Sequence, residues 1–327
     1  MKQIPYILSL IIMLLACNNS AKSVETVQET NVPEFNSDNA YGFVAAQCSY
    51  GPRVMNSVAH DSCAQYIVDT FRSFGLDVIV QEGNGKLYDG TSVKMQNIIA
   101  SYNSDIVPRI IICSHWDSRP WADHDADEAN HHTPIDGAND GASGVGVMME
   151  IARLIQSDTL NIGIDFICFD AEDCGTPEWA EENANSSDTW CLGSQFWANK
   201  IGEESLFSIS SYKYGILLDM VGGNECVFQK EQYSLYYAPN VVDKVWATAN
   251  RLGYGNYFKN EEGGGVTDDH VQVNRAGIRC IDIIASDSKT KMHFPDTWHT
   301  MNDNIGNINR QTLKAVGQTL LDVIYNE

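Results

Sequence analysis

Ile164-Asp165-Phe166-Ile167-Cys168-Phe169-Asp170-Ala171-Glu172-Asp173 is the stretch on which the reading of the fold turns. A short apolar run of strand length ends abruptly in a cluster of carboxylates. Arg109–Cys113, Tyr214–Leu218 and Arg279–Ile284 are runs of the same kind and read as buried strands. The first leads into Ser114-His115 and Asp117, the second into Asp219. Val78–Gln81 and Asn97–Tyr102 read as further strands. Helical spacing fills the intervals. Ala59–Phe74 carries Cys63, Ile67, Phe71 and Phe74, and Gly75 stops it. Ser143–Leu154 places Val147, Ile151 and Leu154 on one face, and Val241–Leu252 and Gln311–Tyr325 are amphipathic. Strand–helix alternation predicts an α/β fold: a single-domain, open, mostly parallel mixed β-sheet with helices on both faces. No internal repeat and no long Gly/Ser linker divides the chain. In open sheets of this class ligands bind beyond the carboxyl ends of the strands, which is where these acids and histidines stand.

The chain has 327 residues, 43% of them hydrophobic, enough for one large core. Its 43 acidic and 21 basic side chains give a formal charge of −22. That surface repels nucleic acid and anionic membranes and favours cationic ligands such as a free α-amine.

Residues 1–16 read as a signal peptide: Lys2 supplies a positive start, and Ile4 to Leu15 form an apolar run too short for a permanent span. Ala16-Cys17 closes it with a small residue and a cysteine, a layout resembling a bacterial lipoprotein cleavage site. Cys17 is therefore the expected lipidation point. Residues 17–35 read as a polar tether and 36–327 as the folded domain. The expected location is exported, periplasmic or at the cell surface, held to a bacterial membrane by the lipid alone. Eight cysteines follow Cys17. Cys113, Cys168 and Cys280 lie in strand-like runs and read as buried thiols. Cys174 with Cys191, and Cys48 with Cys63, are candidate disulfide pairs, although sequence alone does not fix connectivity.

The acids and histidines form a chemical constellation. Asp140 lies in a Gly/Ala-rich turn before a helix, where small residues let a carboxylate approach an ion. Glu172 and Asp173 are adjacent and can point differently, one to a metal and one to substrate. His299 follows Trp298 on a late loop, Phe294-Pro-Asp-Thr-Trp-His-Thr300. Singly, an Asp in such a turn is usually a turn former. Together, at these strand ends, the groups are what a catalytic zinc site requires, with three protein ligands and an open position. Trp116, Trp121 and Trp190 read as packing residues, and Trp298 as a substrate contact. His124, His131 and His132 read as members of a solvated acidic loop.

With these residues in place the chain, from about Phe43 onward, resembles the type II glutaminyl-peptide cyclases, which share their fold with the co-catalytic zinc aminopeptidases. The resemblance is carried by Gly51-Pro52-Arg53, Asn56-Ser57, Ala59-His60, Ser114-His115-Trp116-Asp117-Ser118, Gly137 to Gly144, Met148-Met149-Glu150, Asp170 to Asp173, Leu218-Asp219, Asp268-Asp269-His270 and Trp298-His299-Thr300-Met301. It implies one zinc per chain held by Asp140, Asp173 and His299. It implies Glu172 as the acid/base, Asp219 and Asp268 as a hydrogen-bonded carboxylate pair, and Trp298 and Trp179 as pocket walls. Three departures accompany it: the usual Glu ligand is Asp173, a His of the last strand is Asp282, and the animal enzymes' disulfide positions are Ser114 and Val145.

The activity so implied is conversion of an N-terminal Gln, and more slowly Glu, of peptides and exported proteins to pyroglutamate. A monomer is expected. The α-amine attacks the side-chain amide of its own residue, so no water nucleophile is needed and a single Lewis acid suffices. The alternative is a di-zinc aminopeptidase of the same fold using His115, Asp140, Asp173, Asp219 and His299 together. A non-catalytic surface-binding lipoprotein is a third reading, against which an intact Glu172 argues.

Overall fold

The computed structural model describes residues 31–180, 189–204, 208–224, 226–287 and 293–327. The signal peptide and Cys17 lie outside the described residues. Val32–Glu327 form one compact unit. Phe35, within the segment read as tether, is buried, and a Cβ on Gly317 would come within 2.2 Å of its ring.

Eight strands among the described residues build one sheet. They are β1 (Asp77–Lys86), β2 (Ser92–Tyr102), β3 (Arg109–His115), β4 (Gly163–Phe169), β5 (Tyr212–Asp219), β6 (Val227–Lys230), β7 (Phe258–Glu262) and β8 (Cys280–Ser286). Their order across the sheet is β1-β2-β4-β3-β5-β8-β6-β7. The central four, β4-β3-β5-β8, are parallel, and antiparallel pairings join β1 to β2, β2 to β4 and β8 to β6. This is the mixed, mostly parallel sheet expected.

Period-two alternation explains why the central runs are apolar throughout. Ile110 and Ile112 of β3 enter one hydrophobic layer, while Ile111 and Cys113 enter the other. The first layer is covered by α1 (Ser37–Cys48), α2 (Val58–Ser73), α3 (Ala142–Ile155), α6 (Pro239–Arg251) and α8 (Arg310–Tyr325). The second is covered by α4 (Leu192–Glu204) and α7 (Asp269–Arg275), which supply Trp197, Ile201 and Val273. A short α5 (Gln232–Tyr237) precedes α6. In α2, Ser57 caps the start by accepting from the N–H of His60, and Cys63, Ile67 and Phe71 face the core at helical spacing. Among the described residues no helix is long and apolar enough to cross a membrane.

The disulfide candidates are not formed: all eight cysteines from Cys48 to Cys280 are free thiols. Cys63 is buried in the α2 core contact, and burial pushes its thiol up to about 12 and that of Cys48 up to about 11. Cys174 donates to Ala171 O at 3.5 Å, while Cys191 donates to Glu172 Oε1 at 3.2 Å, so each thiol has a separate partner.

The parallel register sets the site. His115 pairs with Phe169, and Cys113 with Leu217, so β3, β4 and β5 end at the same edge. The residues that follow, 116–119, 170–173 and 220–223, therefore emerge side by side.

Candidate active site

Each functional side chain is set by a local device. The turn 136–141 is tied to the end of β3 by the buried Arg53, which donates to the carbonyls of Trp116 (2.8 Å), Asp136 (2.5 Å) and Gly137 (2.8 Å). From the other side, Asp303 accepts from the N–H groups of Asn139 (2.7 Å) and Asp140 (3.1 Å). Gly141 is needed for closeness: a Cβ there would stand 2.5 Å from His115 O and 2.7 Å from its ring. Past β4, Asp117 accepts from the backbone N–H groups of Glu172 (3.0 Å) and Asp173 (3.1 Å). Behind them His60 holds Asp170 at 2.9 Å and stacks on Trp116.

Asp140, Asp173 and His299 converge, with one ligand atom of each lying within 4.8 Å of the others. His299 Nε2 is 3.1 Å from Asp173 Oδ1 and 3.7 Å from Asp140 Oδ2. Its Nδ1 is 3.5 Å from Asp123 Oδ1, the outer carboxylate that fixes the ring of a metal-binding histidine. Both oxygens of Asp173 are buried and without a hydrogen-bond partner among the described residues. Two carboxylates and an imidazole, with orphaned oxygens turned inward, fit a zinc ion.

His115, Asp140 and Asp219 form a second convergent group sharing Asp140. His115 Nε2 is 2.9 Å from Asp140 Oδ1 and 3.4 Å from Asp219 Oδ1. All five residues of the two-metal alternative are thus assembled. Asp268 lies close enough to Asp219 that Asp219's charge acts on it.

The site holds more negative charge than its cations offset. Burial, then the neighbouring carboxylates Asp268, Asp173 and Asp269, push Glu172 well above the usual carboxylate range, while His115 pulls it down. Burial and the charge of Asp140 raise Asp219 to about 6, and burial and Asp219 raise Asp268 to about 7. Asp173 is raised by burial, eased by His299, and raised again by Asp140. Burial opposes ionisation of Asp123, yet the nearby His299 ring and the hydrogen bonds from Arg119 hold it far down.

A cavity of about 640 Å³ opens above these groups, lined by Asp140, Glu172, Asp173, Asp219, Asp268 and His299 with the walls Trp190 and Trp298. Trp298 stacks on His299 at 3.7 Å. Trp179 does not line this cavity. It is 38% exposed and packs against Trp121 and His132, while Trp190 stands in the cavity lining beside Trp298. Trp190, read from sequence as packing, lies parallel to His299 with the Arg119 guanidinium 4.5 Å above it.

Arg119 and Asp123 were not singled out by the sequence. Arg119 is buried, pairs with Asp123 (2.5 Å), stands 3.8 Å from Asp173 Oδ1 and donates to Asp173 O. Their i, i+4 spacing and the run Asp117-Ser-Arg119 were the available signal, but an Arg in a polar loop ordinarily faces solvent. The loop read as solvated packs onto the site as well: His124 donates its N–H to His299 O and its ring lies 4.3 Å from Trp298.

The family model "Peptidase family M28" matches residues 97–324. A solved structure described as Bacteroides thetaiotaomicron glutaminyl cyclase bound to N-acetylhistamine is 50% identical, covers 91% of this chain and all of its own, and superposes with a TM-score of 0.87. Tannerella forsythia glutaminyl cyclase is likewise 50% identical over 90% of this chain and all of its own, with a TM-score of 0.87. The aminopeptidase YwaD of Bacillus subtilis is 28% identical over 256 residues, 75% of this chain. The chain spans about half the length of that curated relative, 47%.

Proposed function

The chain belongs to peptidase family M28, and we propose that within it the protein is a zinc-dependent glutaminyl-peptide cyclotransferase. One observation carries the reading. Glu172 and Asp268 share a cavity with the Asp140–Asp173–His299 triad, in a chain half identical over nearly its whole length to solved glutaminyl cyclases.

The substrate is a peptide or exported protein with an N-terminal Gln. Trp298 and Trp190 hold its side chain bent, so that the α-amine faces its own amide carbon and the reaction becomes intramolecular. Asp140, Asp173 and His299 would hold a zinc ion, which when bound would supply Lewis acidity toward the amide oxygen. Glu172 accepts a proton from the attacking amine and returns it to the departing ammonia. Asp268, which lines the same cavity and is raised to about 7, holds the amide nitrogen as it leaves. The amine–carbon bond forms, the carbon–nitrogen bond of the amide breaks, and pyroglutamate and ammonia result. Glu in place of Gln offers a poorer leaving group and reacts more slowly.

The second reading, a two-zinc aminopeptidase, is favoured by the His115–Asp140–Asp219 group and by the aminopeptidase relative. Metal analysis beside an ammonia-release assay separates the two. One zinc per active chain with stoichiometric ammonia from Gln-initiated peptides supports the cyclase. Two zincs, both required, with free amino acid released, support the peptidase.

The amino-terminal sequence supports an exported enzyme, lipidated at Cys17 and tethered to a bacterial membrane. Lys2, the apolar run 4–15 and Ala16-Cys17 carry that part. Incorporation of labelled fatty acid by the native protein and its loss in Cys17→Ser test it.

A further inference from the structure

The segment Cys191–Gly193 is laced antiparallel to Asp170–Glu172. The N–H of Cys191 donates to Glu172 O (3.0 Å), that of Leu192 to Ala171 O (3.0 Å), and that of Gly193 to Asp170 O (2.9 Å). Gly193 permits this approach, since a Cβ there would fall 2.1 Å from Asp170 O. Cys191 has φ +55°, a left-handed conformation that residues with a Cβ seldom adopt. Such conformations gather where a site over-determines the backbone. Here it turns the side chain back onto the residue its own N–H already binds: Sγ donates to Glu172 Oε1 at 3.2 Å. The thiol is 1% exposed. Burial, followed by the charge of Glu172, raises it well above an ordinary thiol, so it stays a protonated donor.

We propose that Cys191 is a positioning residue for the cyclisation: its N–H and S–H grip the main chain and side chain of Glu172 together and fix the rotation of the carboxylate. With Oε1 held, the second oxygen is left to take the proton of the attacking amine. This inference rests on the reading of Glu172 as the base.

The test compares wild type, Cys191→Ser and Cys191→Ala on a Gln-initiated peptide, with zinc content and melting temperature measured alongside. Cys191→Ala removes the donor and lowers kcat roughly ten-fold, with KM within about two-fold and zinc retained. Cys191→Ser keeps a donor and stays within about three-fold of wild type. A merely structural thiol acts as a small buried hydrophobe, and the order then reverses, with Ala better tolerated than Ser. In a Glu172→Gln background Cys191→Ala adds no further loss. Should Cys191→Ala fail to fold, Cys191→Gly removes the donor in a residue suited to this φ, with the same expectation. Cys191→Ala at or above Cys191→Ser in kcat, or an equal fold-loss in the Glu172→Gln background, overturns the inference alone. A Glu172→Gln enzyme as fast as wild type overturns the reading of the base, and this inference with it.

Discussion

Glu172 and Asp173 are neighbours that turn into different groups, Glu172 toward Asp268 and Asp173 toward Asp140 and His299, and Asp117 pins both of their N–H groups from behind. With the backbone fixed, one side chain is committed to the Asp140–His299 group and the other is left free of it. Glu172→Gln keeps the shape and removes the base, so turnover measured by ammonia release should fall roughly 10²–10⁴-fold with zinc still bound. Loss of zinc instead would mean that the two acids have exchanged roles. Asp173 is a methylene shorter than the Glu expected from the resemblance, and no Cys174–Cys191 bridge draws the loop toward the site, since both cysteines are free. The grip of Asp117 on its N–H and of Arg119 on its carbonyl sets the backbone at this distance instead. Asp173→Glu should therefore crowd the ion away from Asp140 and His299 and release zinc at lower chelator concentration. Tighter zinc and faster turnover would show a slack native site. The members of the triad stood out in the sequence as candidates because Asp173 follows an apolar strand, Asp140 lies in a Gly/Ala-rich turn before a helix and His299 follows a Trp, while the resemblance joined them into one set. Arg119, Asp123 and Trp190 did not stand out, because their roles come from burial that a polar loop does not advertise.

At the scale of elements, three strand ends and two loops must meet within a few ångströms, and close backbone approaches make this possible. Gly141→Ala places a methyl against the carbonyl and ring of His115. Overpacking of this kind costs roughly 1–3 kcal/mol, and the measurable result should be a lowered melting temperature together with weakened metal retention, since Asp140 is the preceding residue. A variant with unchanged melting temperature and zinc would show that the turn can shift freely. The central strands and α2, α3, α6 and α8 were readable because both-face burial and helical spacing leave strong patterns. Elsewhere the pattern is weak. The buried face of α1 is Ala40, Val44 and Gln47, small or polar. α7 opens on Asp269 and His270, which read as site residues before they read as helix. In β7 only Phe258 is buried, and β6 has four residues.

Across the whole molecule, buried carboxylates make stability depend on pH in separable ways. Glu231, 2% exposed, caps α5 by accepting from the N–H groups of Tyr233 and Ser234 and lies 3.3 Å from His270 Nε2. Burial would raise its pKa, but His270 and these N–H groups hold it at about 2 against an ordinary 4.5. A depressed pKa stabilises the fold above the unfolded value and loses that contribution as pH falls toward the folded one, here between about 4.5 and 2. Glu231→Gln should be less stable than wild type by about 3 kcal/mol near neutral pH, and the gap in melting temperature should narrow as pH is lowered through that window. A gap constant with pH would mean that Glu231 acts through packing. What leaves the substrate separates the cyclase from the peptidase. Purified protein with zinc, given a Gln-initiated peptide and followed by mass spectrometry, should produce a species lighter by about 17 Da, the mass of ammonia, with the rest of the peptide intact. Loss of the entire N-terminal residue would contradict the cyclase and establish the aminopeptidase in its place.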